Sequence, residues 1–341
     1  MSRLQIDMLP VGDSGAFLVE AASGGKPTVA LIGGGRNWDD GERVLRQLEA
    51  YYGGRIDHLI LSHIDCEHAL GLLHVAEALG KDQIGCAWVQ DMGKHGVNAK
   101  RAIALARKRA AEAESSVVRA IATHVADSVE SVQDLIAVLQ GKGVPVKEAF
   151  ADRDNRIGPF EVLGPTVAFF EECVRFYDDV AMLDEMVEEG ISFVRGTDTH
   201  VIGPNYYDVV LDEAVDDPLT QEQASLILLL TYEGDRYLFT GDAGKRALGA
   251  VADKEKMRNL HWLEVPNHGS KHNVSPQLLD LFRPALAYVS SSGIGINPHP
   301  DLLRALESRG AAIYTTSKSG NVWHRRGDVP ERTGYETRTA R

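Results

Sequence analysis

Short apolar, β-branched runs crowd the two ends of this chain and are missing from its middle, and that distribution limits the folds open to it. LQIDML, FLVEA and TVALIG fall near the start, whereas SLILLLTY, RYLFTG, LHWLEV, ALAYVSS, AIYTT and NVWH follow residue 224. Such runs read as strands, and they alternate here with short helical patterns, so each end supplies a strand-rich half of a mixed α/β (α+β) fold. Between them lies NAKRAIALARKRAAEAESSVVRAIATHVADSVESVQDLIAVLQGKG, rich in Ala, Leu, Lys, Arg and Glu, with apolar residues three and four apart and Gly141 and Gly143 at its end. This predicts one long helix or two over residues 98–140. Residues 166–222 read as a helix followed by an acidic surface loop. No Pro/Ser/Gly-rich linker or long charge block divides the chain, so residues 1–341 are read as one domain with both helical stretches inserted in it.

Hydrophobic residues make up 44% of the chain, enough for a sizeable core. Lys plus Arg number 36 against 49 Asp plus Glu, a formal charge of −13, which argues against a long nucleic-acid groove. Any phosphate chemistry therefore relies on local charge or on metal. No apolar run approaches the ~20 residues of a membrane helix, and MSRLQIDMLP lacks the apolar stretch of a secretory signal. Cys66, Cys86 and Cys173 are few, odd in number and far apart, as befits a reducing compartment. The expectation is a cytoplasmic protein that does not enter a membrane.

The most informative segment is IDHLILSHIDCEHALGLLHVAEAL. HLILS has the character of a buried strand and ALGLLHVAEAL of a helix, so His63, Asp65, Glu67 and His68 sit in the turn between. Two imidazoles and two carboxylates in six residues can converge on divalent cations, although an isolated polar hexamer is more often a solvated loop. Further donors follow later strands. LILLLTYEGDRYLFTGD reads as a hairpin ending at Asp242, and LHWLEVPNHGS ends at Asn267, His268, Gly269 and Ser270. Gly33, Gly34 and Gly35 follow VALI without completing GxGxxG or GxxxxGKS, so they predict a turn requiring positive φ and no nucleotide cofactor.

In this order HIDCEH, TGDAG and NHGSKH resemble the signature of the metallo-β-lactamase-fold hydrolases, H-x-H-x-D-H followed by a later Asp and a later His. LFTGD with VPNHGS, the opening MLPVGDSGAFLVEA and the late PHPDLLRAL look like the ComEC-like branch, the hydrolase domain of the bacterial DNA-uptake competence channel. The likeness spans most of residues 4–325. It implies a four-layer αββα sandwich whose site lies at one edge between two sheets. His63 and His68 match signature histidines, while Asp65 stands where a second histidine is usual and Glu67 where an aspartate is usual. Asp242 matches the bridging aspartate and His268 the late histidine, with Asn267 in place of its usual histidine neighbour. The mid-chain histidine has no clear counterpart, and His95, His124 and His200 qualify only by type.

The resemblance further implies one or two divalent ions, Zn²⁺ or, given three carboxylates, Mn²⁺. His63 and Asp65 would hold the first, Glu67, His68 and His268 the second, with Asp242 bridging and Glu67 helping to orient the attacking water. Catalysis would thus fall to Glu67 and Asp242. Ser270, Lys271 and His299 could form a cationic, hydroxyl-bearing rim for a phosphate, which points to hydrolysis of a small phosphodiester or a nucleic-acid end. Alternatives are a catalytically reduced scaffold or regulatory subunit, and a lactone or thioester hydrolase on the same site. The Lys and Arg residues of NAKRAIALARKRA could bind a protein partner, although charges on a helix are usually its solvated side. Cys66, inside the cluster, reads as a small core residue before it reads as a ligand.

Overall fold

The computed structural model describes residues 2–23, 25–175, 177, 179, 206–216 and 220–332. Its apolar runs build two seven-stranded mixed sheets. The first holds β1 (Ser2–Met8), β2 (Phe17–Ser23), β3 (Thr28–Ile32), β4 (Ile56–Ile60), β5 (Ile84–Trp88) and β6 (Val146–Lys147). The second holds β7 (Arg156–Ile157), β8 (Phe160–Gly164), β9 (Ile227–Tyr232), β10 (Asp235–Phe239), β11 (Trp262–Glu264), β12 (Leu286–Val289) and β13 (Ala312–Thr315), after which β14 (Val322–Gly327) returns to the first. The orders are β14-β1-β2-β3-β4-β5-β6 and β13-β12-β11-β10-β9-β8-β7. Each sheet is an antiparallel meander that turns parallel at its later strands, beyond β3 in one and beyond β10 in the other. The hairpin between β9 and β10 turns on Glu233 and Gly234, both at positive φ, as a two-residue turn of mirror-image type requires.

Alternation along β1 shows how the layers are specified. Leu4, Ile6 and Met8 point between the sheets, where they join Phe17, Val19 and Ile32 from one side and Phe160, Leu228, Phe239 and Trp262 from the other. Phe17 meets Phe239 and Trp262 edge-on, with centroids 5.8 and 6.1 Å away. Each fully buried ring contributes ~1.5–3 kcal/mol of burial free energy. Outside the first sheet lie α1 (Trp38–Tyr52), α2 (Cys66–Ala78), α3 (Ala99–Glu112) and α4 (Ser116–Gly141), and outside the second the helices Tyr206–Glu213, Lys245–Ala250, Pro276–Phe282 and Pro300–Ser308. The result is the four-layer αββα sandwich that the resemblance implied.

Residues 98–140 form two helices, not one. The break falls at Ala113–Ser115, where the Ser115 side chain caps α4 by accepting the Val118 N–H. Val125, Ala126, Val129, Val132, Leu135 and Leu139 of α4 share one buried cluster with Ala69, Leu72, Leu73 and Ala76 of α2. The insertion therefore forms an outer wall over α2. In the second insertion, α5 (Val167–Val174) begins at its Thr166 cap, while the acidic stretch 180–205, with His200, lies outside the described residues.

The glycine turn fixes α2 in place. Gly33 and Gly35 have φ of 67° and 89°, as positive-φ positions were expected to. Gly34 N–H donates to the His68 carbonyl at 3.2 Å, and Gly71 N–H to the Gly35 carbonyl at 3.0 Å. A Cβ on Gly71 would lie 1.8 Å from the Gly34 oxygen, so only glycine permits this approach. Among the described residues no helix is long and apolar enough to cross a membrane.

Candidate metal centre

His63 and His68 flank the turn at the C-terminal end of β4, and Asp65 between them caps α2, its Oδ1 accepting the Glu67 N–H at 2.6 Å. Asp242 follows β10 and His268 follows β11, so the second sheet presents its donors at the same edge as the first. His268 is held at φ 55°, φ-positive like Asn267 before it, and its Nδ1 contacts the Ser290 carbonyl at 3.1 Å. This sharp turn aims its Nε2 inward. The Nε2 atoms of His63, His68 and His268 lie 3.8, 3.5 and 3.3 Å from Asp242 Oδ2.

Ser62 settles the other face of the two rings. Its Oγ lies 3.0 Å from His63 Nδ1 and 3.4 Å from His68 Nδ1, so one hydroxyl engages the Nδ1 of both rings and turns each Nε2 toward Asp242. Those Nε2 atoms are buried and satisfy no hydrogen-bond geometry. Orphaned imidazole nitrogens around a buried carboxylate are the donor set of a divalent cation, and His63, His68 and Asp242 lie close enough together to hold one. The donors therefore fit a metal ion.

Charge follows the same geometry. Although burial opposes ionisation, His268 and His68 hold the Asp242 carboxyl well below the usual carboxylate range. Burial and the neighbouring His68 push His63 down to about 4, which keeps it a neutral donor. Burial and the Asp65 charge raise Glu67. Behind Asp242, Glu264 accepts the Thr240 and Gly241 N–H groups at 2.8 and 3.1 Å and pins the loop that carries it.

A cleft of about 330 Å³ opens onto the centre, lined by Asp65, Glu67, Glu222, Asp242, Asn267 and His268, with Ala120, Ile121, His124 and Val125 of α4 as its opposite wall. Asn267 donates to Glu222 at 2.5 Å. The opening VGDSGA segment is stitched to both sides of the cleft. Ser14 Oγ donates to the Glu67 carbonyl, Ser290 Oγ to the Ser14 carbonyl, and the Asp13 carboxylate accepts from Ser292 N–H and Oγ.

The structure sorts the six proposed ligands into different settings. His63, His68 and His268 surround Asp242, Glu67 lines the cleft, and Asp65 turns its Oδ2 to His124, 2.9 Å from Nε2. His95 lies elsewhere, between Glu148 and Glu171. Ser270 is buried beside His268 and accepts the His272 N–H at 3.3 Å. His299 caps the helix Pro300–Ser308, and its backbone N–H meets the Gly269 carbonyl at 2.9 Å, which brings that segment against the His268 loop. Ser62, Glu222 and Glu264 were not singled out as site residues from sequence, and His124 was named there only by type, with His95 and His200, for the mid-chain histidine. Only Ser62, adjoining the cluster, stood where local reading could have found it.

Comparison with known proteins places these features among relatives. No family model matches the chain. Over 204 residues it is 26% identical to ComE operon protein 3 of Bacillus subtilis, a match that takes in 56% of this chain and 26% of that protein. The chain thus spans about a quarter of the relative's length, and the likeness agrees with the ComEC-like branch read from the motifs. Among solved structures, the metallo-β-lactamase fold protein YhfI from Bacillus subtilis superposes with a TM-score of 0.44 at 11% identity, covering 95% of this chain and all of YhfI. AidC, a dizinc quorum-quenching lactonase in complex with a product, gives 0.36 at 11% identity, over 90% of this chain and 74% of AidC.

Proposed function

We propose that the chain is a metal-dependent hydrolase acting on a phosphodiester, either a small molecule or a nucleic-acid end, in the cytoplasm. The observation that carries this reading is the convergence of three imidazole Nε2 atoms on the buried Asp242 carboxylate, two of them with no other partner. Divalent ions bound there, Zn²⁺ or Mn²⁺, would supply Lewis acidity and lower the pKa of a water toward neutrality. Asp242 anchors the centre from the second sheet, and His63 and His68 from the first. Glu67, in the cleft and with its carboxyl pushed up by burial and the Asp65 charge, would help orient the attacking water. The cleft is acidic, so an anionic substrate would depend on the cations, and Ser270, Lys271 and His299 are the residues proposed to meet its phosphate.

The test is elemental analysis of protein purified without added metal, then turnover of bis-p-nitrophenyl phosphate with Mn²⁺ or Zn²⁺ added separately, for the wild type and Asp242→Ala. Bound metal and ion-dependent turnover are expected, both lost together in the variant. Full activity in Asp242→Ala overturns the assignment. Turnover of a lactone or thioester ester in place of the diester moves the substrate class and keeps the centre. A reduced scaffold is the second reading, favoured by the engagement of both Asp65 oxygens with protein groups, and an inert, metal-free protein would select it.

A further inference from the structure

The inserted helix α4 brings a histidine to the turn that carries the signature cluster, one that the resemblance named only by type among three. His124 lies with its Nε2 2.9 Å from Asp65 Oδ2 and its Nδ1 3.6 Å from Cys66 Sγ. A ligand atom from each of the three residues falls within 4.8 Å of the other two, with Asp65 and Cys66 buried and His124 half-buried. The arrangement is held from behind. Cys66 opens α2, and its N–H donates to Ser128 Oγ on the next turn of α4 at 3.1 Å, so the helix that delivers His124 also fixes the backbone that delivers the thiol.

We propose that Asp65, Cys66 and His124 form a metal site of mixed carboxylate, thiolate and imidazole donors in the wall of the cleft, beside the group His63, His68 and Asp242. This deepens the hydrolase reading and rests on it in one respect, since the site opens on the same cleft. Three considerations select the ion. A thiolate excludes Mg²⁺ and Ca²⁺, which take oxygen, whereas Zn²⁺ accepts sulfur, nitrogen and oxygen together. Zinc bonds of ~2.3 Å to sulfur and ~2.0 Å to nitrogen set tetrahedral donors about 3.5 Å apart, close to the 3.6 Å between Cys66 Sγ and His124 Nδ1, so the ion would take Nδ1, and the Asp65 carboxylate, now on the Nε2 side of the ring, would turn to join it. Three protein donors also leave a fourth position, the mark of an open site that can take water or a substrate oxygen. Binding there would release the thiol proton and exchange the contact between His124 and Asp65 for coordination. Asp65 then belongs to a centre that α4 completes, and the missing mid-chain histidine is replaced from a different element.

Cobalt distinguishes the two centres because only a thiolate gives it a near-ultraviolet charge-transfer band. Metal-free full-length protein is titrated with Co²⁺ while visible and near-ultraviolet absorption are followed, and zinc content is measured in parallel. The wild type should develop the charge-transfer band. Asp242→Ala should keep it, Cys66→Ser should lose it with one equivalent of zinc, and His124→Ala should weaken the affinity read from it at least about tenfold. His124 is half-exposed on α4, so its variant reports even where Cys66→Ser fails to fold. Cys86→Ser and Cys173→Ser should leave the band unchanged. Cobalt bound with visible absorption but no charge-transfer band overturns this proposal and spares the hydrolase reading. A band that survives Cys66→Ser, or an affinity unchanged in His124→Ala, also overturns it. No cobalt bound at all overturns both.

Discussion

Replacing Gly71 by Ala puts the packing of α2 to a direct test, because local and tertiary effects oppose each other there. Inside a helix the change adds about 1 kcal/mol of helix propensity. In this position the new Cβ would lie 1.8 Å from the Gly34 oxygen, 2.4 Å from its carbonyl carbon and 3.0 Å from the Gly35 oxygen. Ordinary contact begins at 3.4 Å, so the helix and the glycine turn must separate by about 1.6 Å. That movement breaks the bond from Gly71 N–H to the Gly35 carbonyl and the bond from Gly34 N–H to the His68 carbonyl. Overpacking costs about 1–3 kcal/mol and each buried bond about 1 kcal/mol, so after the propensity gain the loss is about 2–4 kcal/mol. Urea unfolding of the metal-free protein measures it, and the same variant should bind Co²⁺ more weakly because His68 retreats from Asp242. A Gly71→Ala protein as stable as the wild type, or more so, would refute the reasoning, since propensity would then have outweighed the clash.

Two further outcomes concern buried polar groups. His324 lies in the core beside Tyr237, Tyr288 and His261, its Nε2 has no partner, and burial with the nearby His261 pushes it down to about 3. The unfolded chain takes up that proton below about 6.5 and the fold does not, so stability falls as the pH drops through this window, by about 1.4 kcal/mol per unit. His324→Phe should therefore lose about 2 kcal/mol less than the wild type between pH 7.5 and pH 5 in urea unfolding; equal losses would remove His324 as the source. Glu264→Ala leaves the Thr240 and Gly241 N–H groups without their acceptor, and zinc affinity measured by competition should fall about 10–100-fold, with Glu264→Gln retaining part of it.

How much of this was legible in the sequence depends on whether the signal is local. Strands such as Ile227–Tyr232 and Asp235–Phe239 announce themselves because burial on a sheet demands continuous or alternating apolar residues. Val146–Lys147 and Arg156–Ile157 do not, since two residues carry no periodicity, and their pairing is decided by the strands beside them. His63, Asp242 and His268 could be proposed from sequence because each lies within four residues of a strand's end, and His68 because it opens the helix after β4. His124 could be named only by type. It sits 59 residues from the Asp65 it contacts, on a helix whose pattern is that of any amphipathic helix, and only the packing of α4 on α2 gives it a role. The two-helix break at Ser115 was left open for a related reason, since neither proline nor glycine marks it and a serine cap is common inside polar stretches.

The return of β14 to the first sheet has a consequence for how the protein is made. β1 is paired with β2 on one side and with β14 on the other, from Arg3 with Gly327 to Met8 with Val322. Met8 and Val322 stand 314 residues apart (322 − 8), so while that stretch is being made one edge of β1 offers unpaired backbone groups. The nascent protein has to survive with that edge open, and what shields it in the cell bears on yield as directly as the stability of the finished fold.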